Sequence, residues 1–363
     1  MPVRPLKIAI LHYQPANEAR DPVVEQIAAA LREHGHTPST IGVDESVRDL
    51  IDQIRRGEFD LVFNVCETFA DDYKMEVNVA ALLEMAGVKF TGSGVAGLLL
   101  AQDKILTKQL LEFHGVLTPK FATFDGQTFQ TRGDLSFPLI VKPAKSDASI
   151  GLELVQDFEN LGRKVLEIRR EFDDDALAEE FIEGRELYVG VLGDPANPEV
   201  LPIVELDFGK KWDPDQPRIA DRDVKFGPET EGSPKLRIAE CSDELRGRIE
   251  RAALLAYRAL KLRDYARIDF RVSARTNDPY LLEVNPNPYL EKACEVAMGA
   301  QERGVNYTAL VGRIVQTAAA RYRLDRPTPE VRELLSQSVA RSVEACKPAN
   351  EREVLLTEAD AVS

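Results

Sequence analysis

The chain has 363 residues, of which 44% are hydrophobic, and a formal net charge of −15. This length predicts two or three domains, and no apolar run approaches the roughly 18 residues that a membrane-spanning helix needs. The strong negative charge excludes an extended nucleic-acid-binding surface, although it permits a local cluster of cations for a nucleotide.

The start of the chain and its cysteines predict the compartment. The first residues lack the basic, apolar and small-residue succession of a secretory signal. Four cysteines, at positions 66, 241, 294 and 346, have neither metal-ligand nor redox spacing. We therefore expect a cytoplasmic protein with reduced thiols. Cys66 could act as a nucleophile beside a base, but a small buried residue in a strand is the favoured interpretation.

The predicted elements begin with an alternation of strands and helices. Strands at residues 6–13, 40–43 and 60–65 are separated by segments in which apolar residues recur at helical spacing. Alternation of this kind predicts a mostly parallel sheet, whose ligands gather at the carboxyl ends of its strands.

Three glutamates follow these strand ends or lie close behind them. Glu18, Glu67 and Glu76 are candidates to hold a substrate amine. For each of them taken alone, a solvated loop carboxylate is the favoured interpretation, and the role towards an amine stays open.

The next stretch contains two lysines and two loops. A glycine-rich run, Phe90 to Gly97, permits a tight turn before a predicted helix from Leu98 to His114 that contains Lys104. A strand then ends at Lys142, and a loop of small polar residues, 144–151, leads into another strand. Such a loop can close over a triphosphate with backbone N–H donors while Lys142 supplies charge. The alternative is an ordinary flexible hairpin tip.

The second half of the chain adds further helices and strands around a long loop. The predicted elements are a charged helix at 158–172, strands at 187–192 and 200–206, and helices at 243–262 and 307–322. The segment 209–235 is rich in Asp, Pro, Lys and Arg, and an irregular loop of this length is usually functional or disordered.

A hairpin near the end of the predicted core carries oxygen ligands. The strands 265–272 and 279–285 contain Asp269, Glu283 and Asn285, and the last two share one face of their strand. On adjacent antiparallel strands the three could meet at one point and bind a hard cation such as Mg²⁺. For Asp269 alone, a solvated outer face would be the simpler explanation.

This R-x-D strand, followed by L-L-E-V-N-P, resembles the metal-binding end of the ATP-grasp superfamily, in detail its D-alanine:D-alanine ligase branch. The string K-P-x-x-x-x-x-S-x-G at 142–151 is similar to the phosphate lid of that family. The pattern E-x-x-(apolar)-x-G-x-E at 179–186 is similar to the hinge of its adenine slot. Several motifs in the right order, over roughly residues 6–322, carry the resemblance.

The resemblance implies roles for individual residues. The implied ATP-binding residues are Lys104, Lys142, Ser149, Gly151, Glu179, Phe181, Ile182, Glu186 and Lys225. Within this set the lysines contact phosphate, Glu179 meets the adenine amino group, and Glu186 accepts from the ribose hydroxyls. The implied ligands of Mg²⁺ (or Mn²⁺) are Asp269, Glu283 and Asn285. The implied catalytic residues are Arg267, beside the reacting acyl phosphate, and Ser149.

The resemblance also implies an α/β (α+β) ATP-grasp fold. Its expected parts are an N-terminal parallel-sheet domain (1–97), a central subdomain with the phosphate lid (98–184) and a C-terminal subdomain with the metal site (185–322). Residues 323–363 lie outside the resemblance. There Val331, Leu334, Leu335 and Val339 form a helical stripe, which predicts a docking helix or a dimer contact before an acidic tail.

Departures from the family pattern concern the substrate. The family orients its first D-alanine with a lid serine and a loop tyrosine, whereas this chain has Ala148 and Phe226 at those positions. The small turn that follows the metal strand has become Pro286 to Lys292. We therefore predict an ATP-dependent carboxylate–amine ligase that acts on an amino acid or small peptide other than two D-alanines. The alternatives are an acyl kinase or phosphotransferase, and a nucleotide-binding regulator without turnover.

Overall fold

The computed structural model describes residues 4–125, 128–131, 134–147, 149–209, 212–213, 216–220, 224 and 233–324. Within them the chain forms three β-sheets, one parallel and two antiparallel, each covered by helices.

The N-terminal sheet is parallel, as the alternating pattern predicts. Its elements are β1 (Lys7–Tyr13), α1 (Pro22–Glu33), β2 (Thr37–Val43), α2 (Val47–Arg56), β3 (Leu61–Asn64) and α3 (Glu76–Met85). The strand order is β2-β1-β3. β1 is central, and its apolar residues are buried. Because β1 and β3 run parallel, their carboxyl ends lie at the same edge of the sheet.

The central part is an antiparallel sheet with a helix on one face. Its elements are α4 (Val95–Gln102), α5 (Lys104–Phe113), β4 (Phe121–Phe124), β5 (Phe129–Thr131), β6 (Leu139–Pro143), β7 (Glu153–Val155), α6 (Phe158–Phe172) and β8 (Ala176–Glu180). The strand order is β5-β4-β8-β6-β7. α6 packs Leu161 and Ile168 against the buried residues of β6 and β8.

The single helix predicted from Leu98 to His114 is wrong, because the structure breaks it at Asp103. Asp103 has extended backbone angles, and its carboxylate accepts from the N–H groups of Ile105 and Leu106. A side chain that caps these N–H groups starts a new helix. Lys104 is therefore the first residue of α5 rather than an interior one.

The third sheet carries the two strands that were predicted to bind metal. Its elements are β9 (Gly184–Gly193), β10 (Glu199–Val200), β11 (Val204–Asp207), β12 (Lys235–Ile238), α7 (Asp243–Ala259), β13 (Asp264–Ser273), β14 (Pro279–Asn285), α8 (Glu295–Glu302) and α9 (Tyr307–Arg321). The order is β12-β11-β9-β13-β14, and β10 pairs with β9. The strand predicted at 200–206 is split, because Pro202 has no N–H to continue the ladder.

Two hydrophobic cores join segments that are distant in the chain. One core packs Ile8, Ile10 and Ile27 of the N-terminal part against Ile314 and Val315 of α9. The other packs α4 and α5 against the third sheet, with Ala101 and Leu111 beside residues of β9 and β13. The predicted domain boundaries stay predictions, and the cores pass across them.

Candidate active site

The hairpin of β13 and β14 gathers four polar side chains on one face. In its register Asp269 lies opposite Glu283, and Arg267 lies opposite Asn285. Side chains alternate between the two faces of a strand, so the residues between these four polar ones face the opposite side of the sheet. Ile268, Phe270 and Val284 accordingly lie in the core.

Arg267 and Asp269 are held together within this cluster. Arg267 donates through Nε and Nη2 to the two carboxylate oxygens of Asp269, at 2.8 and 3.0 Å, and through Nη1 to Glu295 at 3.3 Å. Its guanidinium also lies over the ring of Tyr188, 5.3 Å from the centroid. Burial alone would lower the pKa of Arg267, but the two carboxylates raise it well above its usual value, so Arg267 is a fixed cation.

Asn285 and Glu283 complete the predicted metal cluster. The Asn285 side-chain Nδ2 donates to Asp269 Oδ2 at 3.2 Å. Glu283 Oε1 lies 3.1 Å from Lys104 Nζ. The described residues hold no group of three or more His, Cys, Asp or Glu side chains arranged for a metal. Two carboxylates and one amide fit a hard cation that completes its shell with phosphate oxygens, although the role of these residues as ligands stays a prediction.

The start of α5 places Lys104 between the hairpin and the lid loop. Besides Glu283, its Nζ bonds to the carbonyl of Ser146, and its backbone N–H donates to Ala144 at 3.0 Å. One ammonium group therefore joins the hairpin to the loop that was predicted to cover phosphate.

A buried trio of charges lies behind this site. Glu179 on β8 lies 2.6 Å from Lys142 Nζ and 2.7 Å from Lys108 Nζ. Burial would raise the pKa of Glu179, but the two lysines bring it below its usual value. The carboxylate is committed to these lysines, so its predicted bond to an adenine amino group stays a prediction.

Sequence reasoning missed Lys108. It is fully buried, and this burial lowers its pKa despite the opposing effect of Glu179. The available signal was its position four residues after Lys104, which places both side chains on one side of α5.

The described part of the lid has a constrained backbone. Ser149 has a φ of +58° and donates from Oγ to the carbonyl of Ala220 at 2.9 Å. Gly151 has a φ of +76°, and a Cβ there would lie 2.9 Å from Phe172 and from Pro143. This turn therefore requires glycine.

A slot lined by both apolar and charged side chains adjoins the lid. It is lined by Ile140, Lys142, Ser149, Leu152, Glu179, Glu180, Phe181, Ile182, Glu186, Ile219, Ala220, Asp269, Arg271, Leu282 and Glu283. Glu186 accepts from Tyr188 at 3.0 Å and lies 3.3 Å from Arg271, which the sequence did not single out. The N–H of Phe181 donates to Pro138 at 3.1 Å and is therefore already engaged.

On the other side of Glu283 lies a cleft that reaches the N-terminal sheet. Glu283, Asn285 and Lys104 line it, together with Glu67 and Glu76. Glu76 accepts from Asn287 at 2.9 Å. Burial raises the pKa of Glu76 to about 8 and raises that of Glu67 well above its usual value.

Glu67 also lines a neighbouring cavity together with Glu18. The three glutamates predicted to follow the strand ends thus line two openings that share Glu67. Cys66 is buried and its pKa is raised to about 12, chiefly by burial. A thiol in this state is not a nucleophile.

Some predicted residues lie outside the described part of the chain. They are Ala148, Lys225, Phe226 and the tail stripe of Val331, Leu334, Leu335 and Val339. Among the described helices, none is long and apolar enough to cross a membrane.

Comparison with known proteins places this geometry in context. A family model described as the D-ala D-ala ligase C-terminus matches residues 110–316. A D-alanine–D-alanine ligase of Bordetella petrii is 34% identical over 252 residues, which cover 69% of this chain and 74% of that protein. An uncharacterised protein of Sinorhizobium fredii, y4sG, is 33% identical over 305 residues, which cover 83% of this chain and 88% of that protein.

A solved structure shows the same fold. The crystal structure of D-alanine–D-alanine ligase from Bacillus anthracis complexed with ATP has a TM-score of 0.69 and 23% sequence identity. The match covers 88% of this chain and 100% of the solved chain.

Proposed function

The chain belongs to the D-alanine–D-alanine ligase family of ATP-grasp enzymes, and from this premise we propose that it is an ATP-dependent ligase that joins a carboxylate to an amine through an acyl phosphate. The substrates are small molecules, an amino acid or a short peptide among them. ATP is the phosphoryl donor and Mg²⁺ (or Mn²⁺) the metal.

The observation that carries this proposal is the position of Glu283. It lines both the slot beside the lid and the cleft that leads to Glu67. Lys104, Asp269 and Asn285 surround it. A nucleotide in the slot and a substrate in the cleft would thus meet beside Glu283, the proposed metal ligand, and Lys104, and proximity of this kind supplies much of the rate.

The residues of the chain have separate tasks in this proposal. Lys104 and Lys142 hold phosphate charge, and Ser149 and Gly151 shape the lid over it. Asp269, Glu283 and Asn285 would hold the cation, which when bound neutralises charge on the phosphates. Arg267, oriented by Asp269 and Glu295, stabilises the oxyanion that develops at the acyl carbon.

The reaction balances without a nucleophilic side chain. A carboxylate oxygen attacks the γ-phosphorus, the bond to ADP breaks, and an acyl phosphate forms. The amine of the second substrate attacks the acyl carbon, phosphate leaves, and the amine loses a proton. The products are the amide, ADP and phosphate.

The substrate pair differs, in this proposal, from two D-alanines. Ala148 and Phe226 lack the two hydroxyls that the family pattern carries at these positions, and a polar substrate loses the partners that they would supply. In addition, Tyr289 occupies the turn after the metal strand and donates to Asp21 at 2.8 Å. A bulky side chain therefore lies where the family has a small turn.

The test is release of ADP and phosphate from Mg²⁺-ATP against a panel of amino acids, dipeptides and hydroxy acids, with product masses measured in parallel. We expect phosphate release that depends on both a carboxylate and an amine. A product should appear whose mass equals their sum minus water. An acyl kinase would instead give ADP with a phosphorylated carboxylate and no amide, and a regulator would bind ATP without consuming it.

A further inference from the structure

The cavity beside the cleft has an unusual set of polar groups. His12, Tyr13, Pro15, Glu18, Ala19, Asp21, Val23, Val65, Glu67, Thr68, Tyr289 and Leu290 line it, and we call it the Glu67 cavity. Its volume is about 200 Å³. Since Glu67 also lines the cleft with Lys104 and Glu283, the cavity extends the reaction site rather than standing apart from it.

Within the described part of the chain, the Glu67 carboxylate has no hydrogen-bond or ion-pair partner, in contrast to Glu76 and Asp21. Asp21 accepts from Val23 N–H and from the Tyr289 hydroxyl, both at 2.8 Å. A partly buried carboxylate without a donor is costly, so the position of Glu67 in this cavity points to a ligand.

An independent observation comes from His12, which is only 3% exposed. Its Nδ1 lies 3.1 Å from the carbonyl of Tyr13, and because a carbonyl only accepts, Nδ1 carries the proton. Burial lowers the pKa of His12, so the ring is neutral and Nε2 is a bare acceptor. That Nε2 is buried, and no group in the described ranges forms a hydrogen bond with it.

Other groups in and around the Glu67 cavity also favour a ligand that donates hydrogen bonds. The Thr68 hydroxyl oxygen in the cavity wall is also buried and has no hydrogen-bond partner among the residues that the structure describes. The charges of Asp147, Glu76 and Asp21 act on Glu67 in the same direction as its burial and raise its pKa, and only Arg267 among the named charges opposes them. A ligand that brings N–H donors and a positive charge would satisfy these acceptors and favour the ionised form of Glu67.

We propose that one substrate of the ligase carries a second primary ammonium group, as a diamino acid does, and that this group binds in the Glu67 cavity. The Glu67 carboxylate and His12 Nε2 accept from the ammonium, and the alkyl chain lies along Val65 and Leu290. The reacting end of the same substrate lies in the cleft next to Glu283. This inference rests on the proposed ligase function and names its substrate class.

The experiment compares substrates that differ only in this ammonium. The full chain with saturating Mg²⁺-ATP is given lysine, ornithine or norleucine, which is isosteric with ornithine, in both enantiomers, alone and paired with alanine. Phosphate release and product mass are recorded. We expect kcat/KM for lysine or ornithine to exceed that for norleucine at least about tenfold, because a site built for N–H donors rejects the analogue without them.

Variants test whether the preference for diamino acids arises in the Glu67 cavity. Glu67→Gln should bring the ratio of diamino acid to norleucine to within about threefold while the KM for ATP stays the same. His12→Phe, which keeps a ring but removes the acceptor, should also reduce the ratio. Glu45→Gln, at an exposed carboxylate on the same N-terminal part, is the matched control and should keep the full preference.

The outcomes separate this inference from its premise. Amide formation with alanine or norleucine at an equal or higher kcat/KM than with the diamino acids would overturn the substrate class and leave the ligase intact. A preference that survives Glu67→Gln would overturn the assigned cavity. Absence of any ATP-dependent amide across the panel would remove the ligase function itself, and this inference with it.

Discussion

At the scale of single residues, the trio of Lys108, Glu179 and Lys142 shows how one carboxylate can hold two buried cations. Glu179 and Lys142 lie on paired strands, whereas Lys108 reaches them from α5. The net charge of the trio is positive, which suits a wall next to bound phosphate. Removing one partner of a buried ion pair is far more destabilising than the pair itself is stabilising.

We therefore expect Glu179→Gln to lower the free energy of unfolding by roughly 3–5 kcal/mol, because two buried ammonium groups would lose their carboxylate. Urea denaturation measures the change. Glu180→Gln, at the next position on β8, is the control. It should have little effect, because an amide oxygen can still accept from the Lys120 N–H. Equal stability of both variants would contradict the structural role given to Glu179.

The metal cluster gives a prediction about turnover. Asp269→Asn or Glu283→Gln should each reduce ATP consumption by about 100-fold or more, because each removes a charge at the point where slot and cleft meet. Steady-state ADP release measures the effect. Asp278→Asn changes a carboxylate at the tip of the same hairpin, where it pairs with Arg248, and should leave turnover intact. Unchanged ATP consumption in the cluster variants would show that the metal site lies elsewhere.

At the scale of elements, the break between α4 and α5 positions Lys104, the lysine that we propose contacts phosphate. Asp103 caps α5, and Lys104 follows it directly. We expect Asp103→Ala to destabilise the protein by about 1 kcal/mol and to raise the KM for ATP, because the first turn of α5 frays. Asp103→Asn keeps a capping oxygen, so its KM for ATP should stay close to that of the parent protein. If both variants have the KM of the parent, the cap does not position Lys104.

The same break shows what the sequence could and could not predict. Apolar residues continue through 98–114 at helical spacing, so periodicity alone gives one helix, while the cap depends on Asp103 leaving the helical backbone conformation. The hairpin of Asp269 and Glu283 was predictable, because alternation along two strands determines which side chains share a face. Lys108 and Arg271 escaped notice because their roles depend on Glu179 and Glu186, which are distant in the chain.

At the scale of the whole molecule, the first and last elements form one structure around the site. Asp264 on β13 accepts from the N–H of Gly92 at 2.8 Å and from Arg321 on α9 at 2.9 Å. Arg321 also donates to the carbonyl of Phe90 at 2.9 Å. These bonds join the N-terminal part to the third sheet. They therefore fix the position of the Glu67 cavity relative to the hairpin of β13 and β14.

Glu76 is a second link of this kind, and it is sensitive to pH. It lies on α3 and accepts from Asn287, which in turn accepts from the Tyr265 hydroxyl at 2.6 Å. Burial raises the pKa of Glu76 to about 8, so the folded protein holds its proton more tightly than the unfolded chain does. The protonated Glu76 therefore makes its full contribution to folding stability below the ordinary pKa of a glutamate. This contribution is lost as the pH rises towards 8.

Glu76→Gln removes this titration but keeps an oxygen for Asn287. We expect the variant to match the parent near pH 4.5 and to become more stable by at least about 1 kcal/mol near pH 8, since each unit of pKa shift corresponds to about 1.4 kcal/mol and partial exposure reduces it. Urea denaturation across this pH range measures the difference, with Glu45→Gln as the exposed control. If the stability difference does not change with pH, Glu76 is already ionised in the folded protein across this range. Asn287 would then donate to a charged carboxylate on α3 rather than to a protonated carboxyl group.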